Sequence, residues 1–254
     1  MSTAVILQAR MGSTRLPGKV MADLLGKPLL ARVIERAQAI RGVEKVVLAI
    51  PAGARDQPLL ELARRCSIEA FAGSEDDVLD RYYQAVKAFN VNVIVRVTSD
   101  CPLLDPRVSE LVLARFQQGD VDYACNTLPP TFPDGLDTEA FSLAALERAW
   151  REARLASERE HVTAYIWKNP TCFRLANVTN DVDLSALRWT VDEPPDLEFV
   201  RAVYHELHRE GEPPFGMKEV LALLERKPRL RNLNLGFMRN EGYTRSVRED
   251  RELC

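Results

Sequence analysis

Near the start of the chain, Gln8-Ala9-Arg10-Met11-Gly12-Ser13-Thr14-Arg15-Leu16-Pro17-Gly18-Lys19 combines three cations with two glycines and a proline. Arg10, Arg15 and Lys19 can place several positive charges around a triphosphate, and loop N–H groups add to them. Gly12 and Gly18 let backbone approach a ligand with no side chain between, and Pro17 stiffens the loop. The spacing excludes a Walker A loop, because five residues separate Gly12 from Gly18 and Val20 follows Lys19. It also excludes the dinucleotide fingerprint, whose third glycine is absent.

Two carboxylates stand out beyond this loop. The apolar run Val93 to Val97 ends in Thr98-Ser99-Asp100. Ligands of open α/β sheets bind outside the carboxyl ends of the strands, so Asp100 lies where a hard cation such as Mg²⁺ would take a carboxylate. Asp100 can equally cap the turn before Pro102. Asp192, in Leu187-Arg-Trp-Thr-Val-Asp-Glu-Pro-Pro-Asp-Leu-Glu, reads by itself as an N-cap ahead of Pro194. The chain's three histidines form no Ser/His/Asp or Cys/His arrangement.

The elements that must position these groups alternate between apolar strands and amphipathic helices, which predicts a mostly parallel sheet covered on both faces. Strands are expected at Ala4–Leu7, Lys45–Ile50, Ile68–Ala70, Asn92–Val97 and Val121–Cys125. Helices are expected at Leu29–Ala39, Gln57–Cys66, Val78–Phe89 and Val108–Gln117, the last capped by Asp105 with Pro106 in its first turn. Farther on, extended pieces are expected at Asp137–Phe141, Phe173–Val178 and Leu187–Val191. Further helices are expected at Leu143–Arg154, Glu158–Lys168, from Pro194 onward, and at Met217–Arg226. From Arg239 the chain is charged and poor in apolar residues, and reads as a mobile or partner-bound arm.

The 254 residues suit one large domain, and 46% hydrophobic with 28% charged residues is an ordinary globular composition. A net charge of −3 argues against a nucleic-acid binder while leaving room for a local anion site. Five scattered cysteines form no C-x-x-C pair, which argues against zinc and against a disulfide framework. The apolar run before Arg10 is too short for a signal peptide and no run approaches a membrane span. The expectation is a reducing cytoplasm with no membrane partner.

The first loop resembles the signature of the sugar nucleotidyltransferases. In the form Ala-Arg-x-Gly-Ser-x-Arg-Leu-Pro-x-Lys it is similar to the cytidylyltransferases that make CMP-sugars: the 3-deoxy-manno-octulosonate and acylneuraminate enzymes and the spore-coat polysaccharide branch. The resemblance runs from Val5 to about Val203. It implies a Rossmann-like α/β/α sandwich of the nucleotide-diphospho-sugar transferase type, with a small inserted β-arm that often makes a homodimer. One domain over 1–238 would carry this insertion around 126–180, with a polar tail over 239–254.

The same resemblance implies roles. Gln8, Ala9, Arg10, Gly12, Ser13, Arg15, Lys19 and Thr98 would hold CTP, with Arg15 and Lys19 on the phosphates. Asp100-Cys101-Pro102 matches the family's strand-end metal ligand, and Asp192 matches its second, although Glu193 stands where threonine is common. Mg²⁺ is the implied cofactor, and Arg15, Lys19 and Asp100 the catalytic set. Phe132-Pro-Asp-Gly-Leu-Asp-Thr-Glu resembles a loop of the spore-coat branch, so Asp134, Asp137 and Glu139 would accept hydrogen bonds from acceptor hydroxyls. Arg159 and His161 would meet an acceptor carboxylate; alternatively Ser157 and Glu160 form a capping box. Thr98 and Ser99 depart from the octulosonate enzymes' glutamine and glycine, and Arg96 reads either as a buried structural charge or as a nucleotide contact.

CMP transfer from CTP to a sugar or sugar acid is the function implied. A nucleotidyltransferase of different base or acceptor, and a nucleotide-binding protein without turnover, are the competing readings. The intact Arg15, Lys19, Asp100 and Asp192 argue against the last.

Overall fold

A computed structural model describes residues 2–13 and 15–252; Thr14 and Cys254 lie outside the described residues. The chain runs β1 (Thr3–Gln8), β2 (Asp23–Leu24), β3 (Lys27–Pro28), α1 (Leu29–Gln38), β4 (Lys45–Pro51), α2 (Gln57–Arg65), β5 (Glu69–Gly73), α3 (Val78–Ala88), β6 (Val93–Thr98) and α4 (Pro106–Gln117). It continues through β7 (Tyr123–Cys125), β8 (Glu139–Ser142), α5 (Leu143–Glu152), α6 (Ala156–Glu160), α7 (Ala164–Lys168), β9 (Leu175–Asn177), α8 (Pro194–Leu207), α9 (Met217–Arg226) and α10 (Glu241–Arg248).

Seven strands form one sheet in the order β5-β4-β1-β6-β8-β7-β9. β1 pairs in parallel with β4 and β6, while β8 runs antiparallel between β6 and β7. The order reverses between β1 and β6, which opens a crevice at the carboxyl ends of these two strands. Gln8 and Thr98 are register partners there, so the cationic loop and the Thr98–Asp100 tip leave the sheet side by side. The 126–180 stretch contributes β8 and β9 to the main sheet, extending it on the β6 side.

Alternation along the strands divides the core into two layers. Val5, Leu7, Val95 and Val97 pack with α1, α4, α8 and α9, and Trp189 and Tyr204 are buried among them. Ala4, Ile6 and Ile94 point the other way, toward α3 and α5. Each fully buried leucine or valine contributes about 1.5–3 kcal/mol. This two-sided burial holds the sheet rigid beneath the crevice.

Local signals act as read: the Asp105 carboxylate accepts from Arg107 N–H at 2.9 Å at the start of α4, with Pro106 in the first turn. Three expectations need correction. The helix expected over Glu158–Lys168 is two short helices, because Val162 adopts φ 56° while fully buried in the second core layer. That backbone is strained for a β-branched residue, and burial of its side chain holds it. Leu187–Val191 forms no strand; a single parallel bridge joins Arg188 to Asp134, and Val191 N–H donates to Asp100 C=O at 2.8 Å. The segment from Arg239 is no loose arm: α10 packs on α6, and Ala156 N–H donates to Arg251 C=O at 2.9 Å.

Candidate active site

The cationic loop is held from below. Met11 N–H donates to the buried Asp56 carboxylate at 2.7 Å, and Gly18 N–H closes back on Met11 C=O at 3.3 Å. Gly18 takes φ 69°, a left-handed conformation natural to glycine. This turn delivers Lys19 into the crevice. Between the loop and α1 lie a short 3-10 turn, Lys19–Met21, and the β2–β3 hairpin, so the loop does not feed directly into that helix.

Lys19 is the hub. Its ammonium donates to Asp100 Oδ2 at 2.9 Å, Asp192 Oδ1 at 2.8 Å and Val191 C=O at 2.9 Å, which uses all three of its protons. Burial works against its charge, but the two carboxylates outweigh that and raise its pKa. For Asp100, burial works upward while Lys19 and the Thr98 hydroxyl, at 2.6 Å, pull the carboxyl down to about 2. Arg15 adds a bridge to Asp192 at 2.9 Å and reaches Glu193 at 3.3 Å.

Neither aspartate is a cap. The helix-start role belongs to Asp196, whose Oδ2 accepts from the N–H groups of Asp192 and Glu193 at 2.9 Å each. Asp192 is thereby free to face the crevice. Two convergent carboxylates on one small cation, here an ammonium, form the donor set that suits Mg²⁺ completed by phosphate and water. Among the described residues no cluster of three or more His, Cys, Asp or Glu offers an all-protein cage; a site that borrows ligand phosphates does not need one.

The crevice has two halves. One cavity, of about 260 Å³, is lined by Gln8, Ala9, Arg10, Gly12, Ser13, Arg15, Lys19 and Thr98, the eight residues expected around CTP, together with Arg81. The other, of about 500 Å³, is lined by Asp134, Asp137, Glu139 and His161 of the expected acceptor set. Arg15, Thr98, Asp100, His161 and Asp192 border both. Reactants seated in the two halves would therefore meet beside Asp100 and Asp192.

The acceptor residues fare unevenly. Arg159 borders neither cavity; its guanidinium is spent on Asp77, with Nε at 2.9 Å, and on Trp150 C=O. It braces α6 against the start of α3. Glu139 faces the cavity with its oxygens already engaged: Oε1 accepts from the Tyr123 and Thr163 hydroxyls and Oε2 from Arg96. Arg96, whose side chain is 13% exposed at the border of the larger cavity, is paired with Glu139 and also donates to Gln8 Oε1 at 3.3 Å. His161 is pushed down to about 4, chiefly by burial, and shares a hydrogen bond with Ser246 at 3.1 Å. A neutral imidazole is a weak partner for a carboxylate. Ser157 lies inside α6, where its hydroxyl donates to Asp250 at 2.7 Å, so it makes no capping box.

Two side chains that organise the crevice escaped the sequence reading. Arg188 contacts Asp196 at 2.9 Å, Asp192 at 3.3 Å and Asp134 at 3.5 Å, tying Asp192 to the Asp134 loop. The signal for it was available: it is the one cation in a segment rich in acids. Arg239 pairs with Asp137 and donates to Phe132 C=O at 3.1 Å across more than a hundred residues. Asp137 is raised to about 7, first by burial and then by Asp134, Glu139 and Asp100, against the pull of Arg239. Nothing local in the sequence marks that pairing.

A switch-point cleft with a cationic glycine loop facing two carboxylates defines an α/β nucleotidyltransferase. Residues 4–206 match the cytidylyltransferase family, and the chain belongs to that family. It is 31% identical to the uncharacterized protein MJ1063 of Methanocaldococcus jannaschii, over 96% of this chain and 98% of that one. It is 33% identical to the spore coat polysaccharide biosynthesis protein SpsF of Bacillus subtilis, over 88% and 94% of the two chains. Among solved structures, a cytidylyltransferase from Leptospira borgpetersenii superposes with a TM-score of 0.87 at 30% identity, covering 94% of this chain and all of that one.

Proposed function

We propose that this protein transfers the cytidylyl group of CTP to a hydroxyl of a sugar or sugar acid, releasing pyrophosphate, in the making of a surface polysaccharide. The observation that carries the reading is the meeting of the two cavities at Arg15, Asp100 and Asp192, with Lys19 bound to both aspartates. The acceptor oxygen forms a bond to the α-phosphorus as the bond from that phosphorus to the oxygen bridging it to the β-phosphate breaks; pyrophosphate leaves with the bridging oxygen, and the hydroxyl proton passes to solvent. A triphosphate carries about four negative charges, so the attacking oxygen meets repulsion that fixed cations must offset. Arg15 and Lys19 supply that charge, and Asp100 and Asp192 would hold Mg²⁺. When bound, the ion neutralises phosphate charge and helps orient the reactants. The chain's own part is mainly alignment. The spore-coat relative, a polysaccharide biosynthesis protein by name, supports a sugar destined for a polysaccharide, and the loop of Asp134 and Asp137 supports a polyhydroxylated one.

The family resemblance supports a homodimer. A reducing cytoplasm accords with Cys66, Cys101, Cys125 and Cys172, all free thiols. Among the described residues no helix is long and apolar enough to cross a membrane.

Pyrophosphate release over the four nucleoside triphosphates and a panel of sugar acids tests the reading. CTP should be preferred. Equal use of CTP and UTP, or a preference for GTP, would reject cytidylyl transfer and leave nucleotidyl transfer standing.

A further inference from the structure

The segment beyond residue 206 lies outside the family match, yet its part from Met238 to Arg245 borders the crevice. Arg239 grips Asp137 and Phe132 C=O on one rim. On the other rim α10 is fastened to α6 and α7. Ser246 donates to Glu160 at 2.5 Å, Asp250 accepts from Ser157, and the Tyr243 ring meets His161 and Trp167 at 5.1 and 5.4 Å. Slung between these attachments, α10 presents Arg245 to the same cavity as Arg10, Arg15, Lys19 and Arg81. Its first residue, Glu241, holds Arg15 at 3.4 Å.

Arg15 and Lys19 are neutralised by carboxylates, whereas among the described residues no ion pair engages Arg10 or Arg245. These two residues come from opposite ends of the chain. Like charges lining one small cavity repel unless an anion joins them. Arg81 registers this crowding: burial first, and then the charge of Arg10, push its pKa down.

We propose that α10 is the second wall of the triphosphate site: Arg245 contacts the phosphates, and Glu241 adds a third carboxylate to Arg15, beside Asp192 and Glu193, until a phosphate oxygen replaces it. This rests on the reading of the Gln8–Lys19 loop as a triphosphate site. The carboxylate of Glu241 and a phosphate oxygen present the same charge-assisted acceptor to the guanidinium, so one displaces the other without leaving Arg15 unpaired. Arg245 then links nucleotide binding to the position of a helix that also borders the acceptor cavity through Tyr243.

Calorimetric titration of the full chain with inorganic tripolyphosphate, and separately with each of the four nucleoside triphosphates, without metal, tests this. Arg245→Ala should weaken tripolyphosphate and CTP alike, about tenfold, and Arg245→Lys by less. Glu241→Gln should tighten both about threefold. Arg248→Ala, on the same helix but outside the cavity, should match wild type. Tripolyphosphate binding that depends on Arg245 without a preference for CTP keeps this wall and rejects the cytidylyl reading. An Arg245→Ala protein that binds tripolyphosphate as wild type does, or a wild type that binds neither tripolyphosphate nor CTP at millimolar concentration, overturns the proposal.

Discussion

The Lys19 ammonium donates to the Asp100 carboxylate at 2.9 Å across 81 residues of sequence. It joins the strand-end loop after β1 to the strand-end tip after β6, and its second carboxylate, Asp192, brings in the start of α8. One side chain therefore sets the spacing of the three motifs.

That role makes Lys19 structural. Lys19→Met leaves the Asp100 carboxylate without its ion pair, while Asp192 keeps Arg15 and Arg188. The expected loss of stability is about 2–3 kcal/mol, at or below the lower end for orphaning a buried charge because both carboxylates keep some contact with solvent. Urea denaturation at pH 7 measures it. Adding Asp100→Asn to Lys19→Met should recover part of the loss, and a single variant as stable as wild type would show that the crevice collapses freely around the missing charge.

Asp100→Asn and Asp192→Asn should each lower turnover by roughly 10²–10³-fold, the order expected when several kcal/mol of charge stabilisation is lost. Circular dichroism should stay near wild type. EDTA should abolish activity and Mg²⁺ restore it. Full turnover by either variant at limiting Mg²⁺ would remove that aspartate from the metal site.

The raised Asp137 carboxyl gives a pH dependence of definite sign. The folded protein keeps this proton up to about 7, whereas the unfolded chain releases it near the usual aspartate value of about 4. The stabilisation is fully present below that unfolded value and is lost as pH rises through 7. His161 acts oppositely: its pKa of about 4 makes its contribution full above about 6.5 and lost as pH falls through 4. Denaturation series from pH 4 to 8 on wild type, Asp137→Asn and His161→Gln separate the two. Asp137→Asn should gain stability relative to wild type toward pH 8, and a constant difference across the series would rule out titration of Asp137 in this window.

Glu139 belongs to the frame. Glu139→Gln removes the charge partner of the mostly buried Arg96 and one of the acceptors that its neighbours need, at a cost of about 3 kcal/mol. Thermal unfolding should show the loss, with KM for the acceptor changed far less than in Asp134→Asn. A stable Glu139→Gln protein with a large acceptor KM would instead return Glu139 to the binding set.

Much of the frame was legible because its causes are local. The apolar runs in Ala4–Leu7 and Asn92–Val97, the Asp105–Pro106 start of α4, and the Met217–Arg226 stripe each depend on neighbours a few residues away. The split of the expected Glu158–Lys168 helix was not legible, since a left-handed Val162 is held by the far side of the core. The same holds for Arg159, whose partner Asp77 lies 82 residues back.

By itself the sequence determined the strand–helix alternation, the glycine-bearing cationic loop and the two aspartates Asp100 and Asp192, because residue type and short spacing dictate secondary structure and available charge. Only the tertiary structure decided what those charges meet. It gave Lys19 to Asp100 and Asp192, took Arg159 and Glu139 for the frame, and folded Arg239 and α10 across the crevice. The physical reason is that an ion pair or a buried hydrogen bond depends on distance in space, which the packing of two core layers sets and sequence separation does not reveal.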